Sequence, residues 1–305
     1  MKILVTGKNG QVGFELQRSL ALYGEVVAAG REQCDLSLPD SVRDFVRAER
    51  PDVIVNAGAY TAVDKAEQEV DLALRINGDA PGILAAEAAE IGALLIHYST
   101  DYVFDGAKAG LYGEDDAVNP QGAYGRTKLA GEQAIRQSDA KHIILRTSWV
   151  YGAYGANFMK TVLRLVRERD SVGIVADQFG APTSAALIAD VSARIVAKYR
   201  DSRKSDADAD GFPYGTYHLA AAGETSWHEY ACLVAQLARD AGYVLKVQPE
   251  QIKAIGTADY PLPAARPANS RMDTQKLRAA FGLSLPAWQA GVRQAMQLLT
   301  GHIHN

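Results

Sequence analysis

Cysteine is almost missing from this 305-residue chain: Cys34 and Cys232 are the only two, and they stand far apart. Two such thiols cannot make a disulfide framework or a cysteine zinc site, so they read as free thiols in a reducing compartment. An excess of charge of one sign is missing too, because 32 Lys and Arg face 36 Asp and Glu for a net charge of −4. That balance offers no field to nucleic acid or an anionic membrane, and any anionic ligand must be held by a local site. No apolar run is long enough to span a bilayer, and Met1-Lys2-Ile3-Leu4-Val5-Thr6-Gly7 enters a strand without a leader pattern. The six histidines include no cluster with metal-ligand spacing, so no metal is expected. The expectation is a cytoplasmic protein without nucleic-acid or membrane partners.

What the chain does have is rhythm. Through the first half, short β-branched runs alternate with helical patterns, which is how a parallel sheet of βαβ units is written. Strands are expected at 2–6, 25–29, 52–56, 94–99 and 142–147, with helices at 11–22, 41–49, 72–90 and 123–137. The continuous apolar run Val53-Ile54-Val55 fits a sheet covered on both faces. The expected fold is α/β, with a Rossmann-type doubly wound parallel sheet over residues 1–150. Residues 151–305 are expected to form mainly a smaller C-terminal α/β lobe that binds substrate, with some chain returning to the first domain. Helices are expected there at 157–169, 184–199, 225–240 and 286–299. The stretch 201–215 reads as an exposed mobile loop and 258–268 as a proline-rich one.

At the first strand–helix junction stands Gly7-Lys8-Asn9-Gly10-Gln11-Val12-Gly13. Glycines allow a tight turn there and let backbone N–H groups approach a pyrophosphate at the positive helix end. Gly7, Asn9, Gly10, Gln11, Val12 and Gly13 are therefore candidate cofactor contacts, although the spacing is not the common dinucleotide one. The second strand ends Ala28-Ala29-Gly30-Arg31, with no acid at its tip for an adenosine ribose. Arg31 either pairs with the 2′-phosphate of NADPH or is a solvated surface residue, and Asp35 and Leu36 are placed beside the adenine. NADPH is the expected cofactor; use of NADH stays open.

Tyr124 and Lys128 lie one helical turn apart and share a face of the expected helix. A free phenol has a pKa of about 10, and a neighbouring ammonium is expected to lower it enough to make a proton donor. Ser99-Thr100-Asp101 stands upstream. Taken in order, the glycine turn, Ser99-Thr100-Asp101 and Tyr124-x-x-x-Lys128 resemble the extended short-chain dehydrogenase/reductase family. Longer stretches, 56–64, 98–104, 146–152 and 177–183, resemble the dTDP-4-dehydrorhamnose reductases within it.

The resemblance implies NAD(P)H-dependent reduction of the C4 ketone of dTDP-4-dehydro-L-rhamnose to dTDP-L-rhamnose. Tyr124 would donate the proton, Lys128 would support Tyr124 and the nicotinamide ribose, and Thr100, ahead of Ser99, would hold the carbonyl oxygen. Asn56, Ala57, Gly58 and Ala59 would form a backbone wall beside the cofactor. On the substrate side it implies Val63, Asp64, Asp101, Trp149, Gln178, Pro182, Thr183 and Arg266, the last toward the diphosphate. Trp149 reads equally as a core residue, Asp64 as a helix cap, and Asn77 as a helix-surface residue or a support for the site. A homodimer is compatible with the resemblance. The metal-bridged dimer described for some relatives is not expected, since no Asp or Glu follows Leu285.

Three other readings compete. Sugar dehydratases of this superfamily follow the threonine with an Asp-Glu pair, but Tyr102 stands in the glutamate's place, so elimination lacks its base. A non-catalytic regulatory subunit, as in methionine adenosyltransferase, has no need to keep Thr100, Tyr124 and Lys128 together. A reductase of another nucleotide-linked 4-keto-6-deoxysugar remains a third alternative.

Overall fold

Alternation along the strands decides the architecture. Ile3, Val5, Val53, Val55, Ile96, Ile143 and Leu145 enter one apolar cluster, while Leu4, Ile54, Leu95 and Ile144 enter another. Successive side chains of a strand point to opposite faces, so both faces of this sheet must be covered. The structure is a computed structural model that describes residues 1–203 and 211–301; 204–210, within the loop expected at 201–215, and 302–305 lie outside the described residues.

The chain runs β1 (Lys2–Thr6), α1 (Gln11–Leu20), β2 (Glu25–Ala29), α2 (Pro39–Glu49) and β3 (Val53–Asn56). Short α3 (Val63–Ala66), α4 (Val70–Leu74), α5 (Ala80–Ile91), β4 (Leu94–Thr100), α6 (Ala123–Arg136) and β5 (Lys141–Thr147) follow. The sheet has six parallel strands, in the order Gly215–His218, β5, β4, β3, β1, β2. The order reverses between β1 and β3, which is where a doubly wound sheet opens a crevice at its carboxyl edge. One face is covered by α2 and α5, through Val42, Val46 and Leu84. Across the sheet lie α1 and α8 (Ala185–Ser202), through Leu16, Leu20, Ile188 and Ile195. Each fully buried aliphatic side chain of this kind contributes about 1.5–3 kcal/mol.

After Val150–Tyr151 the chain builds a second layer from α7 (Phe158–Glu168), α9 (Trp227–Asp240) and α11 (Trp288–Thr300), with α10 (Gln275–Phe281) at the sheet lobe. Met159, Val162 and Val166 of α7 meet Tyr230, Val234 and Ala235 of α9 and Val292 of α11. Three two-strand ladders stitch this lobe: Val150–Tyr151 with Thr183–Ser184, Phe179–Gly180 with Thr225–Ser226, and Gly173–Val175 with Lys253–Ile255. Because α8, α10 and the strand Gly215–His218 pack on the sheet, residue 150 does not divide the chain cleanly into lobes.

Two details depart from expectation. The helix expected at 72–90 is α4 and α5 joined by a π-turn, Arg75–Asp79, that brings Asn77 inward to 0 % exposure. The described end of the 201–215 stretch is not loose, since Phe212 is buried against Tyr199, Tyr214 and Phe281. Polar neighbours hid that aromatic anchor.

Candidate active site

The glycine turn fits a pyrophosphate cradle on steric grounds. Gly7 adopts φ +71°, and a Cβ there would meet the Gly58 nitrogen at 2.6 Å. A Cβ on Gly13 would lie 2.1 Å from the Gly7 carbonyl oxygen, so α1 can seat against the turn only with glycine there. The first turn of α1 has no acid, and Gly10 at its N-cap makes no side-chain cap, which leaves the helix end to an anion.

A cavity of about 660 Å³ opens from this turn over the carboxyl ends of β3, β4 and β5. Its lining includes Gly7, Asn9, Gly10, Gln11, Val12, Ala57, Gly58, Ala59, Val63, Ser99, Thr100, Asp101, Tyr124, Lys128 and Trp149. The structure thus brings together most of the sequence-derived candidates. Helix α6 is held close to β4 because Gly125 sits on the Tyr102 carbonyl oxygen, where a Cβ would come within 2.2 Å. The Glu67 carboxylate accepts the Ala123 N–H at the start of α6 (2.7 Å). Asn77 ties the preceding loop to that helix: its side chain accepts from Tyr60 N–H (2.8 Å) and donates to the Tyr60 carbonyl (3.0 Å) and the Thr127 hydroxyl (3.3 Å).

Thr100 closes β4 with its hydroxyl donating to Asp101 (3.0 Å) and accepting the Tyr102 N–H (3.2 Å). Lys128 is 2 % exposed and donates to the Tyr98 carbonyl at 2.6 Å, with His97 Nε2 3.2 Å away. Burial pulls the Lys128 ammonium down to about 8, against Glu132 one turn on, which pushes it up. The expected depression of the Tyr124 phenol is not what the structure shows. Desolvation dominates, the Thr100 hydroxyl opposes it, Asp101 adds to it, and the phenol is pushed up to about 12. Burial likewise pushes the Asp101 carboxyl up to about 6, with Ser270 and Thr100 pulling it back. Behind the site, Arg146 makes a two-pronged pair with Glu132 (2.9 and 2.7 Å), which with Ser99 and Arg136 holds that buried carboxyl low although burial opposes it.

A second cavity, about 840 Å³, is lined by Phe158, Gln178, Trp227, Tyr260 and Arg266 among others. Tyr102 lines both cavities and meets Tyr124 edge-on at 5.5 Å. Trp149 takes φ +50°, rare for a residue with a side chain, and stacks on Trp227 at 3.5 Å. Gly180 makes room for it, since a Cβ there would lie 2.7 Å from the indole. Arg266 is no loose residue: its guanidinium pairs with Asp64 at 2.7 Å, and Asp64 also accepts the Ala264 N–H (3.1 Å). Gln178 donates to the Thr257 hydroxyl at 3.0 Å on this second wall.

Several candidates are not among the residues that line either cavity. Thr183 is 0 % exposed, and its hydroxyl donates to the Ala181 carbonyl and accepts the Ala221 N–H, so it serves the lobe's framework. Pro182 faces a separate small cavity beside Trp288 and Gly291. Asn56 is 1 % exposed with its side chain turned between Thr6 and His97, not toward the cavity. Asp35 is engaged with Ser37, accepting its N–H (2.9 Å) and hydroxyl (2.7 Å) in the turn before α2. Leu36 abuts Gly58, where a Cβ would meet it at 2.6 Å, while Arg31 is exposed.

The β2 tip does carry an acid. Glu32, two residues past Gly30, folds back so that a Cβ on Gly30 would meet its Oε2 at 2.5 Å, and Lys8 of the glycine turn pairs with it at 2.9 Å. Glu32 lies beyond the strand's last residue, and only the turn returns it to the tip. Tyr102 as a shared wall, and Trp227, whose stacking partner is distant in sequence, likewise carry no local signal.

The family model described as RmlD substrate binding domain matches residues 1–300. The dTDP-4-dehydrorhamnose reductase of Escherichia coli strain K12 is 48 % identical over 303 residues, covering 98 % of each chain. That of Burkholderia thailandensis is 47 % identical over 292 residues, covering 96 % of this chain and 97 % of the relative. The solved dTDP-4-dehydrorhamnose reductase of Bacillus anthracis, in complex with NADP, superposes with a TM-score of 0.86 at 34 % identity, covering 96 % of this chain and 98 % of that one.

Proposed function

Since the chain belongs to the dTDP-4-dehydrorhamnose reductase family, we propose that it reduces the C4 ketone of dTDP-4-dehydro-L-rhamnose to give dTDP-L-rhamnose. The observation that carries this is the meeting of Thr100, Tyr124 and Lys128 on one wall of a cavity that begins at the glycine turn. NADPH or NADH, when bound, supplies the hydride.

The chain's residues do the rest. The turn Gly7–Gly13 receives the pyrophosphate, and Lys128 keeps one ammonium proton for the cavity after serving the Tyr98 carbonyl and His97. Thr100, once its one hydroxyl proton turns from Asp101, fixes the ketone oxygen, where negative charge grows as hydride arrives, and Tyr124 gives that oxygen its proton. A phenol raised by burial is a poor acid at rest; a developing alkoxide beside it is the strong base that draws the proton off. Asp101, with its raised pKa, places no full charge against that oxygen at mildly acid pH. Trp149 of the first cavity, stacked on Trp227 of the second, offers an apolar face to a deoxysugar, and Arg266 in the second faces the diphosphate once it leaves Asp64.

At the β2 tip, Arg31 and Lys8 suit a 2′-phosphate and Glu32 suits a 2′-hydroxyl, which supports use of either cofactor with NADPH preferred. No described helix is long and apolar enough to cross a membrane. The free thiols Cys34 and Cys232 support a reducing, cytoplasmic setting. The test is loss of NADPH absorbance with dTDP-4-dehydro-L-rhamnose beside other nucleotide-linked 4-keto-6-deoxysugars. Turnover is expected with the first; fastest turnover with another would move the assignment to that sugar.

A further inference from the structure

His97 lies in β4 at 1 % exposure, and the reaction as derived gives it no task. Yet it is the middle of a buried chain of polar contacts. The Gly58 N–H points to the Thr6 hydroxyl (3.3 Å), Thr6 Oγ1 is 2.6 Å from Asn56 Oδ1, and Asn56 Nδ2 is 3.0 Å from His97 Nδ1. His97 Nε2 then stands 3.2 Å from Lys128 Nζ. A neutral imidazole carries one ring proton, so it donates from one nitrogen and accepts at the other. With Asn56 donating to Nδ1, the proton is on Nε2, and Nε2–H suits a lysine amine with a lone pair. An ammonium has no lone pair. When Lys128 is charged, Nε2 must accept, the ring proton must move to Nδ1, and the Asn56 amide must present its oxygen to it.

Building on the reductase reading, we propose that His97 is the positioning residue of the reaction: it holds Lys128 in one place in both protonation states by exchanging its own tautomer. The state matters because Lys128 changes charge when it restores the Tyr124 proton. One N–H bond breaks with its pair left on Nζ, one O–H bond forms on the phenolate, and one proton taken up from bulk solvent recharges the amine, so that each turnover consumes one solvent proton. A fixed donor at position 97 would repel the ammonium, and a fixed acceptor would leave the lone pair of the amine without a donor. The charged and titratable groups around Lys128 are Tyr124 and Glu132 on its own helix, His97 on β4, Arg146 on β5 paired to Glu132, and Asp101 beyond Thr100. The Tyr98 hydroxyl points away to Ser192 (2.6 Å). None of the others lies between His97 and Lys128.

The test follows the histidine ring of the full-length protein by ¹⁵N NMR from pH 6 to 10, with Lys128 followed by ¹³C-lysine signals. His97 is expected to carry its proton on Nδ1 while Lys128 is charged and on Nε2 once Lys128 is neutral, the two curves sharing one midpoint. In Lys128→Met the ring should keep one tautomer throughout. His97→Leu should lower kcat by about tenfold to a hundredfold with the sugar KM little changed, and His97→Gln, whose amide also donates or accepts, should recover most of it. A ring tautomer that stays constant while Lys128 titrates overturns the proposal, as does a glutamine variant as poor as the leucine one. Tyr124→Phe separates the two levels: if it stays active the reductase chemistry is wrong, whereas an inactive Tyr124→Phe with a constant His97 tautomer sinks this inference alone.

Discussion

The two cavities that meet at Tyr102 are built in different ways. The first is lined by contiguous motifs at the carboxyl ends of parallel strands, so each catalytic candidate is placed by the element it belongs to. The second gathers Phe158 of α7, Gln178, Trp227 of α9 and the loop residues Tyr260 and Arg266, segments that only the folded lobe brings side by side. Sheet geometry fixes the groups proposed to react, and packing between helices and a loop shapes the surface proposed for recognition. The difference teaches that chemistry and specificity can be altered separately in this fold.

The largest expected effect comes from the first cavity alone. Tyr124→Phe should lower turnover by roughly 10²- to 10⁴-fold, as loss of a general acid does, while calorimetric affinity for dTDP stays as in the parent. A parallel loss of nucleotide affinity would break the separation between the cavities. From the other side, Arg266→Ala should raise the KM for the sugar nucleotide by about tenfold or more, the loss expected for a charged hydrogen bond, with kcat changed less. Steady-state kinetics checks that split, and a fall confined to kcat would place Arg266 with the chemistry.

pH sharpens the contrast further. Lys128 titrates at about 8, so its ammonium is present below that pH and lost above it. Turnover should fall about tenfold for each pH unit beyond it, while dTDP affinity, which we assign to Arg266, should stay flat over the same range. The smallest effect is expected at the β2 tip. Glu32→Gln removes a carboxylate that suits a ribose hydroxyl and repels a phosphate, so NADPH should gain over NADH by a few-fold in Kd, as read by fluorescence titration. An unchanged ratio would remove Glu32 from cofactor choice.

Much of the first cavity was legible because its signals are local. Gly7 and Gly13 mark a turn that tolerates no side chain at either position, and the Tyr124–Lys128 spacing marks a shared helix face. Legibility failed where a residue's neighbours come from far along the chain. Thr183 and Pro182 sit in a motif-like stretch, yet ladder pairing with Val150–Tyr151 turns Thr183 into the framework. Phe212 is surrounded by polar sequence but anchored by Phe281, and Asn77 was turned inward by a π-turn that no simple periodicity announces.

By itself the sequence determined the six-stranded scaffold's first five strands, the phosphate turn and the order of the reacting groups, because strand alternation, helical spacing and glycine sterics act over a few neighbouring residues. Only the tertiary structure decided the charge states and the recognition wall. Desolvation raised Tyr124 and lowered Lys128, Glu32 folded back onto Lys8, Trp227 came to lie on Trp149, and His97 came to face Lys128. Each of those depends on what the folded chain places within a few ångströms through space, and burial acts on a side chain whatever its sequence neighbours are.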